Sequence, residues 1–265
     1  MSRLFSIAFE RVHTVLRGAA LLGIIALPAC TERSNEPLLV AAAASLSGAM
    51  PDLTAAFEAE TGYRVQMTTG ASGQLAQQIR EGAPIDVFLS ADREWVERLS
   101  DDGRIVPGTI AVYARGRLVV FQSAASSLHM TRIAEIANPA IRRIAIANPE
   151  TAPYGRAARQ ALETAGILRA VEARLVIAEN VRQTVQYVET AGADLAFTSE
   201  ALMAEGQGTW TEVPQELYDP LDQALGVVAN RPNEEMARAF ASFVLGQRGQ
   251  EILLASGFTP PDGRI

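Results

Sequence analysis

Ile85-Asp86-Val87-Phe88-Leu89-Ser90-Ala91-Asp92 reads as a buried strand running straight into a helix start. Ser90 and Asp92 are cap-type residues, and Trp95 and Leu99 then fall on one helical face. Four other segments share this design of an apolar run, a small or amide-bearing turn and the start of a helix. Leu39-Val40-Ala41 leads to Ala44-Ser45-Leu46, and Val65-Gln66-Met67 leads to Gly70-Ala71-Ser72-Gly73. Ile144-Ala145-Ile146 leads to Asn148-Pro149 and Pro153-Tyr154-Gly155, and Leu175-Val176-Ile177 leads to Glu179-Asn180-Val181. Such alternation predicts an α/β chain with parallel sheets and flanking helices. Ligands of open parallel sheets bind beyond the carboxyl ends of the strands. The helix starts there carry unpaired N–H groups and the positive end of the macrodipole. Several converging on one cleft make a strong anion site from neutral donors.

The chain has 265 residues and a net charge of −7, and all 23 of its basic residues are arginine. An acidic chain lacks the basic footprint that nucleic acid requires, so no nucleic-acid partner is expected. Arg3, Arg11 and Arg17 precede the short apolar stretch Ala19 to Leu27, which fits a signal-peptide core. That stretch ends in Leu27-Pro28-Ala29-Cys30, which resembles a bacterial lipobox and marks Cys30 for lipidation; Pro28 departs from its usual pattern. The other reading is cleavage nearby that leaves a free cysteine. Residues 1–29 are thus expected to be a signal peptide and 30–37 a polar tether, which puts the mature protein in the periplasm, lipid-anchored to a membrane if Cys30 is modified. Removing 1–29 leaves 20 basic and 29 acidic residues, a net charge of −9.

His129 would be the only histidine of the mature chain and Cys30 the only cysteine. No zinc-type cation site is expected from so few ligands. A serine hydrolase would need His129, which lies in the polar loop Ser126 to Met130 with no acid close in sequence, so no catalytic residues and no enzyme activity are expected. Phosphate-loop and dinucleotide glycine motifs are absent. The strands are too many for one small sheet, so two lobes are expected. Lobe I takes residues 38–113 and 222–265, and lobe II takes 114–221. The C-terminal helices, with Met236, Phe240, Phe243 and Val244 on one face, should close lobe I.

Ala42 to Leu46, Gly70 to Leu75, Gly82 to Asp92, Ile146 to Gly155, Glu179-Asn180-Val181 and Gly257-Phe258, taken together and in order, closely resemble the periplasmic molybdate-binding proteins of bacterial ABC importers. The resemblance implies a type II periplasmic-binding-protein fold with the ligand between the lobes. It implies a molybdate site, shared with tungstate, formed by Ser45 and Ser72 through hydroxyl and N–H, by Tyr154, and by Val181 through its backbone. The only metal would be that of the oxyanion, held by these same residues, with no other cofactor. Delivery to an ABC permease in the inner membrane follows, by a monomer. Many members carry a tyrosine where this chain has Phe197. Tyr154 is therefore read as the replacement hydroxyl and Phe197 as a wall of the site. Ser45 and Ser72 also suit simple helix caps, Ser90 and Asp92 a cap pair, and Arg156 and Arg182 outward-facing positions. Rival readings are another oxyanion such as sulfate, a small organic acid paired with an arginine, or an oxyanion-sensing lipoprotein.

Overall fold

A computed structural model of the chain describes residues 36–124, 126, 130–205 and 208–261. The signal peptide, Cys30, most of the tether and His129 lie outside the described residues. Two five-stranded sheets organise the rest, in the orders β2-β1-β3-β10-β4 and β7-β6-β8-β5-β9. The first is built from β1 (Leu38–Ala43), β2 (Val65–Gly70), β3 (Val87–Ser90), β4 (Ala111–Gly116) and β10 (Leu221–Val227). The second is built from β5 (Leu118–Ser123), β6 (Ile144–Ala147), β7 (Leu175–Ala178), β8 (Leu195–Ser199) and β9 (Gly208–Glu212). The helices are α1 (Met50–Thr61), α2 (Ser72–Arg80), α3 (Glu94–Asp101), α4 (Pro153–Thr164), α5 (Leu168–Val171), α6 (Val181–Glu189), α7 (Glu234–Leu245) and α8 (Gln247–Ala255).

In the first sheet β1 pairs in parallel with β2 and β3, while β10 runs against both β3 and β4. In the second, β6 pairs in parallel with β7 and β8, while β5 runs against both β8 and β9. Each sheet thus has one reversed strand, and it is the strand that arrives from the other lobe. The remaining strands point their carboxyl ends at the cleft, so a strand entering through the cleft must run the opposite way. Ala114–Gly116 and Leu221, assigned to lobe II from sequence, belong to the first sheet, where Leu221 pairs with Gly116. The reason is length: β4 stays on the ladder as far as Gly116, opposite the first residue of β10.

Strand β1 is apolar throughout because both of its faces are covered. On one face Met50, Leu53 and Phe57 of α1 meet Phe240 and Val244 of α7. The Phe57 and Phe240 rings pack edge-on with centroids 5.0 Å apart. On the other face lie Leu75 and Ile79 of α2 with Val96 and Leu99 of α3. The second lobe repeats this scheme with Ala158 and Leu162 of α4 and Val185 and Val188 of α6. Asp86, inside the stretch that decides the fold, is fully buried and serves the framework. Its carboxylate accepts from the Leu39 N–H at 2.8 Å and pairs with Arg231 at 3.1 Å.

Candidate functional site

A narrow pocket lies where the carboxyl ends of the two sheets face each other. Ser45, Ser72, Tyr154 and Val181 all line it, two from each lobe. The remaining lining comes from alanine, glycine, proline and Asn180, so no charged side chain faces the space. Among the described residues no cluster of histidine, cysteine, aspartate and glutamate could hold a metal ion.

The four residues are presented in different ways. Ser45 lies in a 3₁₀ turn, Ala44–Leu46, directly after β1 and is buried. Its hydroxyl donates to Gln223 Oε1 at 3.3 Å. Ser72 is the first residue of α2, and the cap position belongs to Ala71, so Ser72 is not the helix cap that its residue type suggests. Its Oγ instead accepts from the Ala91 N–H at 3.0 Å. With that lone pair occupied, the Ser72 proton is free to point at a ligand. Ser72→Ala therefore strips a partner from a buried N–H and is expected to lower stability by about 1–3 kcal/mol, read in a denaturant titration.

Tyr154 is the second residue of α4, after Pro153, and its N–H is one of the first-turn donors that the helix cannot pair. Its hydroxyl points elsewhere. It accepts from Ser199 Oγ at 2.9 Å and from Gln223 Nε2 at 3.4 Å. It also approaches Gly116 so closely that a Cβ there would lie 1.9 Å from the phenol oxygen. Burial pushes the Tyr154 phenol well above its ordinary value, so it stays protonated. Val181 opens α6, where the Asn180 side chain caps the Arg182 and Gln183 N–H groups at 3.0 and 3.2 Å. The Val181 carbonyl is held by the hydroxyls of Thr184 and Thr198 at 2.7 and 3.1 Å, which fixes the peptide plane beside the pocket. Phe197 is not on the pocket lining: it packs in the core of the second lobe, one strand position away from Thr198.

Besides the Tyr154–Gln223 bond, two polar contacts join the lobes at the cleft. The Gly73 N–H donates to the Thr151 carbonyl at 2.8 Å. An added Cβ on Gly73 would lie 2.6 Å from the Trp95 ring, so the indole fills this seam; its ring N–H is buried and has no partner among the described residues. The second contact is ionic. Arg156 of α4 bonds the Asp92 carboxylate and reaches Glu94 at 3.1 Å. Arg156 therefore crosses to the other lobe and does not simply face outward as its sequence position suggests. Asp92 also accepts from the Trp95 N–H at 3.1 Å and so caps the turn into α3, as its residue type indicates. Burial pushes the Asp92 carboxyl above its ordinary value of 3.8, against the pull of the Trp95 N–H and the Arg156 charge.

Gln223 and Ser199 take part in this site and have no mark in the local sequence beyond being buried polar residues within strands. A polar residue among buried strand neighbours, as in Leu221-Asp222-Gln223-Ala224-Leu225, was the available signal.

Residues 38–259 match the family of bacterial extracellular solute-binding proteins. The chain belongs to that family. Among the solute-binding relatives, the molybdate-binding protein ModA of Azotobacter vinelandii is 34% identical over 257 residues, covering 96% of this chain and 98% of the relative. ModA of Escherichia coli is 31% identical over 250 residues, covering 91% and 95%. The solved structure of the Azotobacter vinelandii periplasmic molybdate-binding protein superposes with a TM-score of 0.81 at 32% identity, covering 84% of this chain and 99% of that one. Two mixed sheets flanked by helices, with a cleft between them, are thus the two-lobed α/β fold of periplasmic solute-binding proteins.

Proposed function

We propose that this protein captures molybdate in the periplasm, accepts tungstate in the same pocket, and delivers the anion to the permease of an ABC importer. The observation that carries this reading is a pocket with helix starts from both lobes and no charged residue on its lining. Molybdate and tungstate are fully ionised at neutral pH and offer only acceptor oxygens. The groups assigned here offer only donors: N–H and hydroxyl of Ser45, N–H and hydroxyl of Ser72, and the N–H groups of Tyr154 and Val181. Phosphate retains a proton at neutral pH and would need an acceptor, which this set does not supply. Charge-assisted hydrogen bonds contribute about 1.5–3 kcal/mol each. Roughly six of them outweigh the cost of association and give binding that is about micromolar or tighter. The relatives' names point to the same ligand.

In this reading the protein is a monomeric carrier with no catalytic group and no cofactor other than its cargo. Calorimetric titration with molybdate, tungstate, sulfate and phosphate tests it. Molybdate and tungstate are expected to bind and to raise the melting temperature by mass action, with phosphate inert at neutral pH. Phosphate binding as tight as molybdate would overturn the donor-only assignment. Cys30 is read as the lipidated residue. Cys30→Ser is expected to move the protein from the membrane fraction to the soluble periplasm without changing its affinity; a wild type that is already soluble refutes the anchor.

A further inference from the structure

Helix α2 starts at the pocket without a side-chain cap. Its cap residue is Ala71, and Ser72 Oγ is engaged by the Ala91 N–H. The next N–H, that of Gly73, is one of the first-turn donors that the helix cannot pair. Its acceptor comes from the opposite lobe: the Thr151 carbonyl, at 2.8 Å. One lobe thus caps a helix of the other through its backbone. The bond sits beside two of the assigned donors, since Ser72 precedes Gly73 and Tyr154 lies three residues after Thr151.

Both ends of this bond are anchored. In the first lobe the Ala91 N–H holds Ser72, and the Leu75 N–H returns to the Ala71 carbonyl at 3.0 Å. In the second, the Thr151 and Ala152 N–H groups both donate to the Asn148 carbonyl, at 3.2 and 2.8 Å. The Asn148 N–H is tied in turn to the Ala178 carbonyl, the last of β7, at 2.7 Å. The Ala152 carbonyl accepts from the Gly155 and Arg156 N–H groups at 2.9 and 3.1 Å, so α4 begins directly after Thr151. A shift of Thr151 is therefore carried into the Tyr154 N–H.

No room is left at Gly73. An added Cβ would lie 2.9 Å from the Thr151 carbonyl oxygen, 3.0 Å from its Cα and 2.6 Å from the Trp95 ring. The ring can swing aside, whereas the Thr151 backbone moves only together with the start of α4. Gly73 does not have a positive φ, so its backbone conformation makes no demand for glycine and space alone excludes a side chain.

We propose that Gly73 is a positioning residue for oxyanion binding. By lacking a side chain it lets Thr151 cap α2, and so fixes the spacing between the Ser72 donors of the first lobe and the Tyr154 N–H of the second. This rests on the oxyanion reading above and adds to it a residue that gives the ligand no donor.

Calorimetric molybdate titrations of Gly73→Ala test the proposal, made alone and in a Trp95→Phe background. Phenylalanine removes the indole ring atoms that the new Cβ would meet and leaves Thr151 in place. Gly73→Ala is expected to weaken binding about tenfold in both backgrounds. The ligand-free variants are expected to melt within about 4 °C of their parents, because the helix preference of alanine offsets part of the crowding. A loss below about twofold with Trp95 present overturns the proposal. So does a loss that disappears in the Trp95→Phe background, the result that crowding inside the first lobe alone would give. A tenfold loss accompanied by a larger drop in melting would assign Gly73 to the framework and overturn it as well. The Trp95→Phe background gives the alanine room and keeps the test usable if Gly73→Ala alone folds poorly. A wild type that binds none of molybdate, tungstate and sulfate would refute the oxyanion reading and this role together, whereas unaltered affinity in the variants of a binding wild type refutes the role alone.

Discussion

Gly155→Ala is expected to destabilise the protein by about 3 kcal/mol and to abolish its stabilisation by molybdate. Alanine normally gains about 1 kcal/mol over glycine within a helix. Here the sign reverses, because the added Cβ would lie 2.1 Å from the Ala147 carbonyl oxygen and 2.6 Å from its carbon. Both are backbone atoms at the end of β6, which is held on both sides by β7 and β8. The strand cannot yield, so α4 must lift away. Lifting α4 also displaces the Tyr154 N–H, the donor next to the substituted residue. For a chain of this length the loss corresponds to a melting temperature lower by about 6–12 °C. Melting curves with and without molybdate check both parts. A variant that melts within a degree of wild type would show that the first turn of α4 is not seated on β6 as described.

The second large effect is expected at the ionic contact across the cleft. Arg156→Gln should weaken molybdate binding about tenfold, a loss of about 1.4 kcal/mol. The figure is modest because the Arg156 side chain is 44% exposed and solvent screens its charge. Asp92 is far less exposed, so the variant leaves a carboxylate short of its counter-charge. The pH dependence has a definite sign. A carboxyl whose folded pKa is raised binds protons better folded than unfolded, so its ionisation subtracts from stability as pH rises from 3.8, the ordinary value. Loss of Arg156 removes one of the influences that hold the Asp92 pKa down. The stability gap between variant and wild type should therefore be widest at neutral pH and shrink as pH falls toward 3.8. A gap that is constant with pH, together with unchanged affinity, would count against the contact.

Much of the site was legible because it is local. Each pocket segment is a strand, a turn and a helix start within a dozen residues, and that pattern alone brings Ser45, Ser72, Tyr154 and Val181 to the carboxyl ends of strands. Less legible was what each side chain does there. Ser72 looks like a cap, but its partner is the Ala91 N–H, nineteen residues on. Arg156 looks like a solvent-facing residue near a helix start, and its partner Asp92 lies sixty-four residues back in the other lobe. Phe197 looks like a wall, yet strand alternation turns it into the second lobe's core and places Thr198 against Val181 instead. Such roles are set by pairings distant in sequence, which periodicity does not record. The sheet boundaries slipped for the same reason, since Ala114–Gly116 are claimed by a strand that arrives more than a hundred residues later.

The seam at Gly73 and Thr151 gives the protein an optical property. The chain contains two tryptophans, and Trp95 is the one packed between the lobes, beneath the Arg98 guanidinium at 4.8 Å. The other, Trp210, is exposed on β9. Replacing Trp210 with phenylalanine leaves a single emitter whose surroundings change whenever Thr151 withdraws. A separation of Gly73 from Thr151 would then register in the Trp95 emission, a signal native to the chain and needing no attached dye. The rate at which cargo is released can be followed separately from how tightly it is held.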